Sequence, residues 1–253
     1  MSSVTKRSAL VAAIFVALAA LSSIALAEVS QDGPVRVSVG AKIDPTRLPR
    51  TGSAPVSFSL SGHIAPTSRG SLPKLQQIQI AINSQGALRL RGLPVCRLGH
   101  IDPSTSSEAL LECRRSLIGG GRFTANVKIA EQSPFPSIGK VFLFNGRLRG
   151  KPAILAHVYG TRPTPTSYVL PFLIDNLHGT YGTELTASLP GATGKWGYVT
   201  GLSLHLDHRF LRAGCPAPSG VPIASFPLVR TRFSFAGGVK VATVVNRTCR
   251  PRG

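Results

Sequence analysis

The sequence predicts an all-β protein, a β-sandwich of roughly a dozen mostly antiparallel strands with one short helix. Three observations support this fold class. Apolar and polar residues alternate in many short segments, which places one face of each strand in a core and the other in water. The 26 glycines and 20 prolines fall mainly between these segments, as turns require. Helix start and stop signals occur together in one stretch only.

The strands follow from the period of two. Segments that are apolar on both faces, at 141–144 and 153–158, are typical of central strands that are covered on both sides. Gly237 and Gly238 predict a hairpin between the last two strands. The clearly alternating segments are residues 35–39, 56–60, 78–82, 123–129, 185–189, 202–206 and 229–235.

The helix is expected after the start signal Asp102-Pro103-Ser104, with good helix formers at 107–117. The triple glycine at 119–121 would then end it and turn the chain. Cys113 would lie on this helix.

The N-terminus has the parts of a secretory signal peptide. Lys6 and Arg7 precede the small and apolar run 9–21, and Ala25 and Ala27 give the small-x-small pattern of a cleavage site. We therefore expect residues 1–27 to be removed and the mature chain to begin at Glu28; an uncleaved anchor helix is the alternative. No later segment is apolar for 18 residues, so no membrane span is expected after signal removal. The expected location is secreted or in the cell envelope, after export through the cleaved N-terminal signal.

The mature chain carries four cysteines, an even number that in an exported protein favours two disulfides. Three pairings exist, and proximity in sequence favours Cys96–Cys113 and Cys215–Cys249. Each would contribute about 3 kcal/mol by the loop-entropy estimate. The cysteines are too widely spaced for the paired ligands of a zinc site.

The length of the mature chain allows two domain organisations. Residues 28–253 fit one β-sandwich domain, because β folds of this size occur as single units. Two smaller β domains divided near 162–166 are the alternative.

The protein is strongly basic. All ten acidic residues and 27 of the 29 lysines and arginines follow residue 27, which gives the mature chain a net charge of +17. This charge favours an anionic polymer or surface as partner, although a solvated basic exterior would look the same. Few aromatic residues accompany the arginines, which weakens the case for binding of single-stranded nucleic acid; sequence-specific nucleic-acid binding is not expected. Six arginines form i, i+2 pairs that would face outward from strands and grip anions bidentately: Arg89 and Arg91, Arg147 and Arg149, Arg230 and Arg232.

Motifs for catalysis are absent from the sequence. There is no G-x-S-x-G, no H-E-x-x-H and no phosphate-binding glycine loop before a helix, so no catalytic residue, metal or cofactor is predicted. His205 and Asp207 would share one strand face, with His208 on the other. Glu112 or Glu131 could meet Asp175 or Glu184 to form a glycosidase pair. Trp196 would either cap the core or form a stacking platform.

Six longer segments of the mature chain form a distinctive combination: Gly92 to Cys96, Glu131 to Pro136, Ala156 to Thr161, Pro165 to Phe172, Trp196 to Gly201 and Ser234 to Gly238. This combination resembles an uncharacterised family of secreted actinobacterial proteins. The resemblance covers almost the whole mature chain and implies export from a bacterium and a common fold, without an activity or functional residues.

These observations favour an exported, non-enzymatic protein that binds an anionic envelope or extracellular partner through its arginine pairs. Two other hypotheses stay open. A secreted hydrolase of envelope polymers requires a carboxylate or histidine site that the sequence does not reveal. A structural envelope component requires no ligand.

Overall fold

The computed structural model describes residues 27–68, 72–127, 135–161, 165–189 and 197–253. The predicted signal peptide lies outside these residues except for Ala27, as do Glu131 and Trp196. No helix in this described part is both long and apolar enough to cross a membrane.

The described residues form sixteen strands, one α-helix and three 3-10 turns, so the all-β prediction is confirmed. The elements are β1 (Glu28–Asp32), β2 (Val35–Asp44), β3 (Arg47–Pro49), β4 (Ala54–Pro55), β5 (Ser57–Pro66), β6 (Leu75–Asn83), β7 (Gly86–Leu88), the 3-10 turn Leu98–His100, α1 (Ser106–Cys113), the 3-10 turn Arg114–Ser116, β8 (Leu117–Val127), β9 (Phe135–Leu148), β10 (Lys151–Gly160), β11 (Thr166–Asn176), β12 (Tyr181–Ser188), β13 (Gly197–Leu206), β14 (Leu211–Ala213), β15 (Ala224–Phe235), the 3-10 turn Ala236–Gly238 and β16 (Lys240–Arg252).

Thirteen strands form one large sheet in the order β1-β2-β5-β13-β8-β9-β10-β11-β12-β6-β15-β16-β3. All neighbours are antiparallel except β16 and β3. The strands β4, β14 and β7 form a second, small sheet. The β15–β16 hairpin forms at Gly237 and Gly238 as predicted. On either side of the segment 162–166, β10 and β11 pair over eight residues.

The large sheet curls until its first strands meet β16. The Nε of Arg247 on β16 donates to the carbonyl oxygen of Ala41 on β2 at 2.7 Å. Its Nη1 lies 3.6 Å from the carboxylate of Glu28 on β1, and the backbone N–H of Lys240 donates to Asp32 at 3.1 Å. These long-range polar contacts join the two sides of the curled sheet. Among the described residues, β16 has no backbone strand pairing with β1 or β2.

The alternating residues fill the inside of this curl. Val35, Val37, Phe58 and Ile80 are buried there together with Val229. The predicted central strands are confirmed by β9 and β10, since residues 153–157 of β10 are buried on both faces. Burial of this kind contributes about 25 cal/mol per Å² of apolar surface.

The glycines 119–121 lie inside β8 and not in a turn, so the prediction that they end a helix and turn the chain is wrong. A Cβ on Gly121 would overlap the carbonyl oxygen of Ser203, and one on Gly119 would overlap that of His205. The backbones of β8 and β13 therefore approach too closely for any side chain. Glycine here serves strand packing.

A cap of residues 93–116 covers the outer face of β9, β10 and β11. Ile101 and Ala109 of the cap pack on Phe144 and Leu155 in a second apolar cluster. The fully buried His157 on β10 places Nε2 3.0 Å from the carbonyl oxygen of Ser104.

The predicted helix forms within this cap with different limits. It begins after the N-cap Thr105, whose backbone N–H donates to Glu108 at 2.7 Å in a capping box. It ends at Cys113, and Leu117 already pairs with Phe144 in the sheet. The pairing of β8 with β9 thus outweighs the helix propensity of residues 114–117.

Candidate anion-binding surface

The two disulfides join the pairs that sequence proximity favours. Cys96 bonds to Cys113 with Cα atoms 5.4 Å apart, and Cys215 bonds to Cys249 with Cα atoms 6.0 Å apart. The first disulfide fixes α1 to the start of the cap. The second fixes the segment after β14 to β16.

The first disulfide also brings arginines together. Cys96 forms a parallel bridge with Gly146 of β9, and its backbone N–H donates to the carbonyl oxygen of Asn145 at 2.8 Å. Arg97 and Arg147 follow the two bridge residues in the same direction. Their Cα atoms therefore lie no more than about 12 Å apart.

Arg114 and Arg115 reach the same region from the other half of the disulfide. Arg114 follows Cys113 directly, so its Cα lies within about 13 Å of that of Arg97. Both arginines are exposed in the short turn that connects α1 to β8.

Arg149 lies at the tip of the β9–β10 hairpin. Arg149 and Gly150 have φ angles of 49° and 81° between the paired residues Leu148 and Lys151. Positive φ at both central positions defines a type I′ turn, which favours asparagine and glycine. An arginine in this position is unusual, and it is exposed.

We define the basic patch as Arg97, Arg114, Arg115, Arg147 and Arg149. Within the described residues, none of the five forms an ion pair; Arg147 alone has a side-chain hydrogen bond, to the carbonyl oxygen of Gly150 at 3.4 Å. The neighbouring carboxylate of Glu112 lies 3.9 Å from the imidazole of His100. The patch therefore has uncompensated positive charge.

The basic patch contains one of the three predicted arginine pairs, Arg147 and Arg149, but these two residues do not share a strand face as predicted. Arg147 follows the inward-facing Val141 and Leu143 along β9 but is exposed near the end of the strand. Arg149 is in a turn and not on a strand. Arg89 and Arg91 are exposed in the segment after β7, so their placement on a strand was wrong.

The third pair lies on the outward face of β15, as expected for a strand. Arg232 is exposed, but Arg230 is engaged within the protein. Its guanidinium stacks on the ring of Tyr181 at 4.6 Å and lies 3.9 Å from the carboxylate of Glu184. Four strands separate β9 from β15 in the sheet. The three pairs do not form one stripe.

His205, Asp207 and His208 are close in sequence, but His205 and Asp207 have different contact partners in the structure. On β13, Nδ1 of His205 lies 3.0 Å from the hydroxyl of Ser59. Asp207 lies past the end of the strand and contacts His208 at 2.8 Å and Arg209 at 3.5 Å. Burial raises the pKa of Asp207, but the Arg209 backbone N–H and the charges of Arg209 and His208 hold it below its usual value overall. Nowhere in the described ranges do three His, Cys, Asp or Glu side chains come close enough to share a metal ion.

Two of the four acids considered for a glycosidase site lie opposite each other, although each of them was expected to pair with Glu112 or Glu131 and not with the other. Asp175 of β11 lies directly opposite Glu184 of β12. The carboxylate of Glu184 accepts a hydrogen bond from Gln79 at 3.3 Å and faces Arg230. One carboxylate of the pair is thus engaged and the other is exposed.

Comparisons with family models, curated proteins and solved structures give no match to this chain. The resemblance to secreted actinobacterial proteins stays a prediction. Arg97, Arg114 and Arg115 were missed as candidates because Arg97 is far in sequence from the other two. The positions of Arg97 and Arg114 directly after Cys96 and Cys113 were the available signal.

Proposed function

We propose that the protein is exported and, without catalysis, binds extended anionic polymers of the envelope or the extracellular space through the basic patch. One observation carries the proposal: five exposed arginines lie next to the Cys96–Cys113 disulfide and the end of the β9–β10 hairpin, and none of them forms an ion pair with a described residue. A guanidinium is always charged and binds phosphate, sulfate or carboxylate groups in a bidentate manner.

Several separate arginines suit a partner with repeated charges better than a single small anion. Each anionic group that the patch neutralises releases counterions, so affinity should fall steeply with salt. The two disulfides are compatible with an oxidising extracellular environment.

The test uses residues 28–253 and fluorescent inorganic polyphosphate at about 50 and 200 mM salt. Replacing Arg97, Arg147 and Arg149 together with serine should weaken binding and reduce the salt slope by about 0.7–1 for each arginine–phosphate pair removed. The matched control removes three exposed charges elsewhere, at Arg36, Arg89 and Arg232. Equal weakening in both variants would mean that net charge, and not the patch, binds the polymer.

The disulfides provide a second comparison. Replacing Cys96 and Cys113 with serine should lower stability by about 3 kcal/mol and also weaken polyphosphate binding, because Arg97 and Arg114 are no longer held together. Replacing Cys215 and Cys249 should lower stability by about 4 kcal/mol and leave binding unchanged. Binding is measured at a temperature where both variants remain folded. Equal effects of the two replacements on affinity would contradict the proposal.

The pair Asp175 and Glu184 favours a second candidate function, hydrolysis of a glycosidic bond in an envelope polymer. Cross-strand neighbours have Cβ atoms about 5 Å apart, close to the carboxylate spacing of retaining glycosidases. Release of reducing sugar from envelope polysaccharide, abolished both by Asp175→Asn and by Glu184→Gln, would establish it. Activity that survives either substitution would exclude this pair.

A further inference from the structure

We propose that a groove on the outer face of β2, β5 and β13 binds a sugar that carries a phosphate or sulfate group. This serine groove consists of Gly40, Lys42, Ser59, Ser61, Ser203 and His205. It is a separate site from the basic patch and does not depend on polymer binding there.

The groove exists because small residues lie side by side across the strands. Strand register places Gly40, Ser61 and Ser203 in one row. In the adjacent row, Lys42, Ser59 and His205 are paired. The resulting cavity has a volume of about 310 Å³, at the lower end of the range for small-molecule sites.

The floor of the groove suits sugar hydroxyls. Ser203 offers a hydroxyl that both donates and accepts hydrogen bonds. The hydroxyl of Ser61 donates to the carbonyl oxygen of Gly40 at 3.4 Å, and its oxygen can still accept from a ligand. Ser59 holds His205 through the 3.0 Å contact with Nδ1. This contact leaves Nε2 at the surface with no partner among the described residues, where it can donate to a ligand.

The charged residues around the groove favour an anionic group. Within the part of the chain that the structure describes, Lys42 has no ion pair or side-chain hydrogen bond, and neither has Arg122, which lies opposite Ser203 on β8. Two carboxylates lie near the groove. Asp44 is the last residue of β2, two residues beyond Lys42, and Asp207 contacts His208 and Arg209. The centre of the groove is therefore cationic and its end is acidic.

Four probes separate the contributions of sugar and anion: glucose 6-phosphate, glucose 6-sulfate, glucose and inorganic phosphate. Binding is followed by the amide chemical shifts of β2, β5 and β13. Both charged sugars should bind at least about tenfold more tightly than glucose or phosphate alone, as expected for one charge-assisted hydrogen bond added to the hydroxyl contacts. Tighter phosphate-ester than sulfate-ester binding would identify phosphorylated sugars as the preferred source.

Variants locate the site. Lys42→Gln should weaken binding of the charged sugars about tenfold, whereas the matched Arg36→Gln, on the same face of the same strand, should leave it unchanged. Ser61→Leu should fill the groove and abolish binding of every probe. Replacement of Arg97, Arg147 and Arg149 should have no effect here, so failure of this site and failure of the basic patch are distinguishable.

Substitution isolates the contribution of His205. Its Nδ1 contacts Ser59 at 3.0 Å, so Nε2 is the ring nitrogen that remains for a ligand. His205→Ala should weaken binding of both charged sugars several-fold, whereas the matched His63→Ala, on the same face of β5, should leave it unchanged.

The proposal is overturned if no probe shifts the groove amides at about 10 mM, which corresponds to binding weaker than about 3 kcal/mol. Equal effects of Lys42→Gln and Arg36→Gln would also overturn it, because binding would then follow net charge alone.

Discussion

Arg149 occupies a turn position that its backbone conformation disfavours. A left-handed residue with a Cβ costs about 1–2 kcal/mol, and asparagine tolerates this conformation better than other L-residues. Arg149 has φ of 49° and Gly150 of 81°. Arg149→Asn therefore creates the Asn-Gly sequence that type I′ turns favour. We expect this change to stabilise the protein by about 1 kcal/mol.

The corresponding rise in melting temperature is about 2–4 °C for a chain of this length. Thermal unfolding should be measured in about 0.5 M salt, where charge repulsion is screened over a few ångströms. The same variant should bind polyphosphate more weakly, because one of the five arginines of the basic patch is removed. A gain in stability coupled to weaker binding would mean that the strained turn is retained for function.

The control is Arg232→Asn, which removes an exposed arginine from β15. Asparagine is disfavoured in strands, so this variant should be slightly less stable and should bind polyphosphate as before. The reasoning is refuted if Arg149→Asn fails to raise the melting temperature. It is also refuted if binding is unchanged in the stabilised variant.

Two further predictions concern packing and pH. Gly121→Ala should destabilise the protein by about 3 kcal/mol or more, since its Cβ would overlap the Ser203 carbonyl oxygen. Gly62→Ala should be neutral in the same thermal assay, because no atom of the described residues lies within 4 Å of its Cβ. Burial, together with the negative charge of Asp102, raises the pKa of Tyr168 to about 12. The folded state thus keeps this proton longer than the unfolded state, so stability should fall as pH rises from about 10 to 12. Tyr168→Phe should reduce that fall in denaturant titrations, and an unchanged slope would contradict the assignment.

The site was only partly predictable from the sequence. The spacing of Arg147 and Arg149 indicated an anion-binding element, but an i, i+2 pattern cannot distinguish a strand face from a strand end followed by a turn. Arg97 and Arg114 are 17 residues apart and meet only through the disulfide beside them. In the sequence, Arg230 looked equivalent to the other paired arginines. In the structure its guanidinium contacts Tyr181 and Glu184, which belong to a different strand.

The sequence by itself determined the all-β class, the central strands and the last hairpin, and it favoured the two cysteine pairs over the other possible pairings. These features depend on local periodicity, turn residues and short loops, which are properties of neighbouring residues. Only the tertiary structure decided that thirteen strands form one curled sheet, that glycines 119–121 lie where β8 approaches β13, and which arginines lie next to the Cys96–Cys113 disulfide. Strand order and the facing of distant segments depend on contacts between residues far apart in the chain, and local periodicity does not encode those contacts.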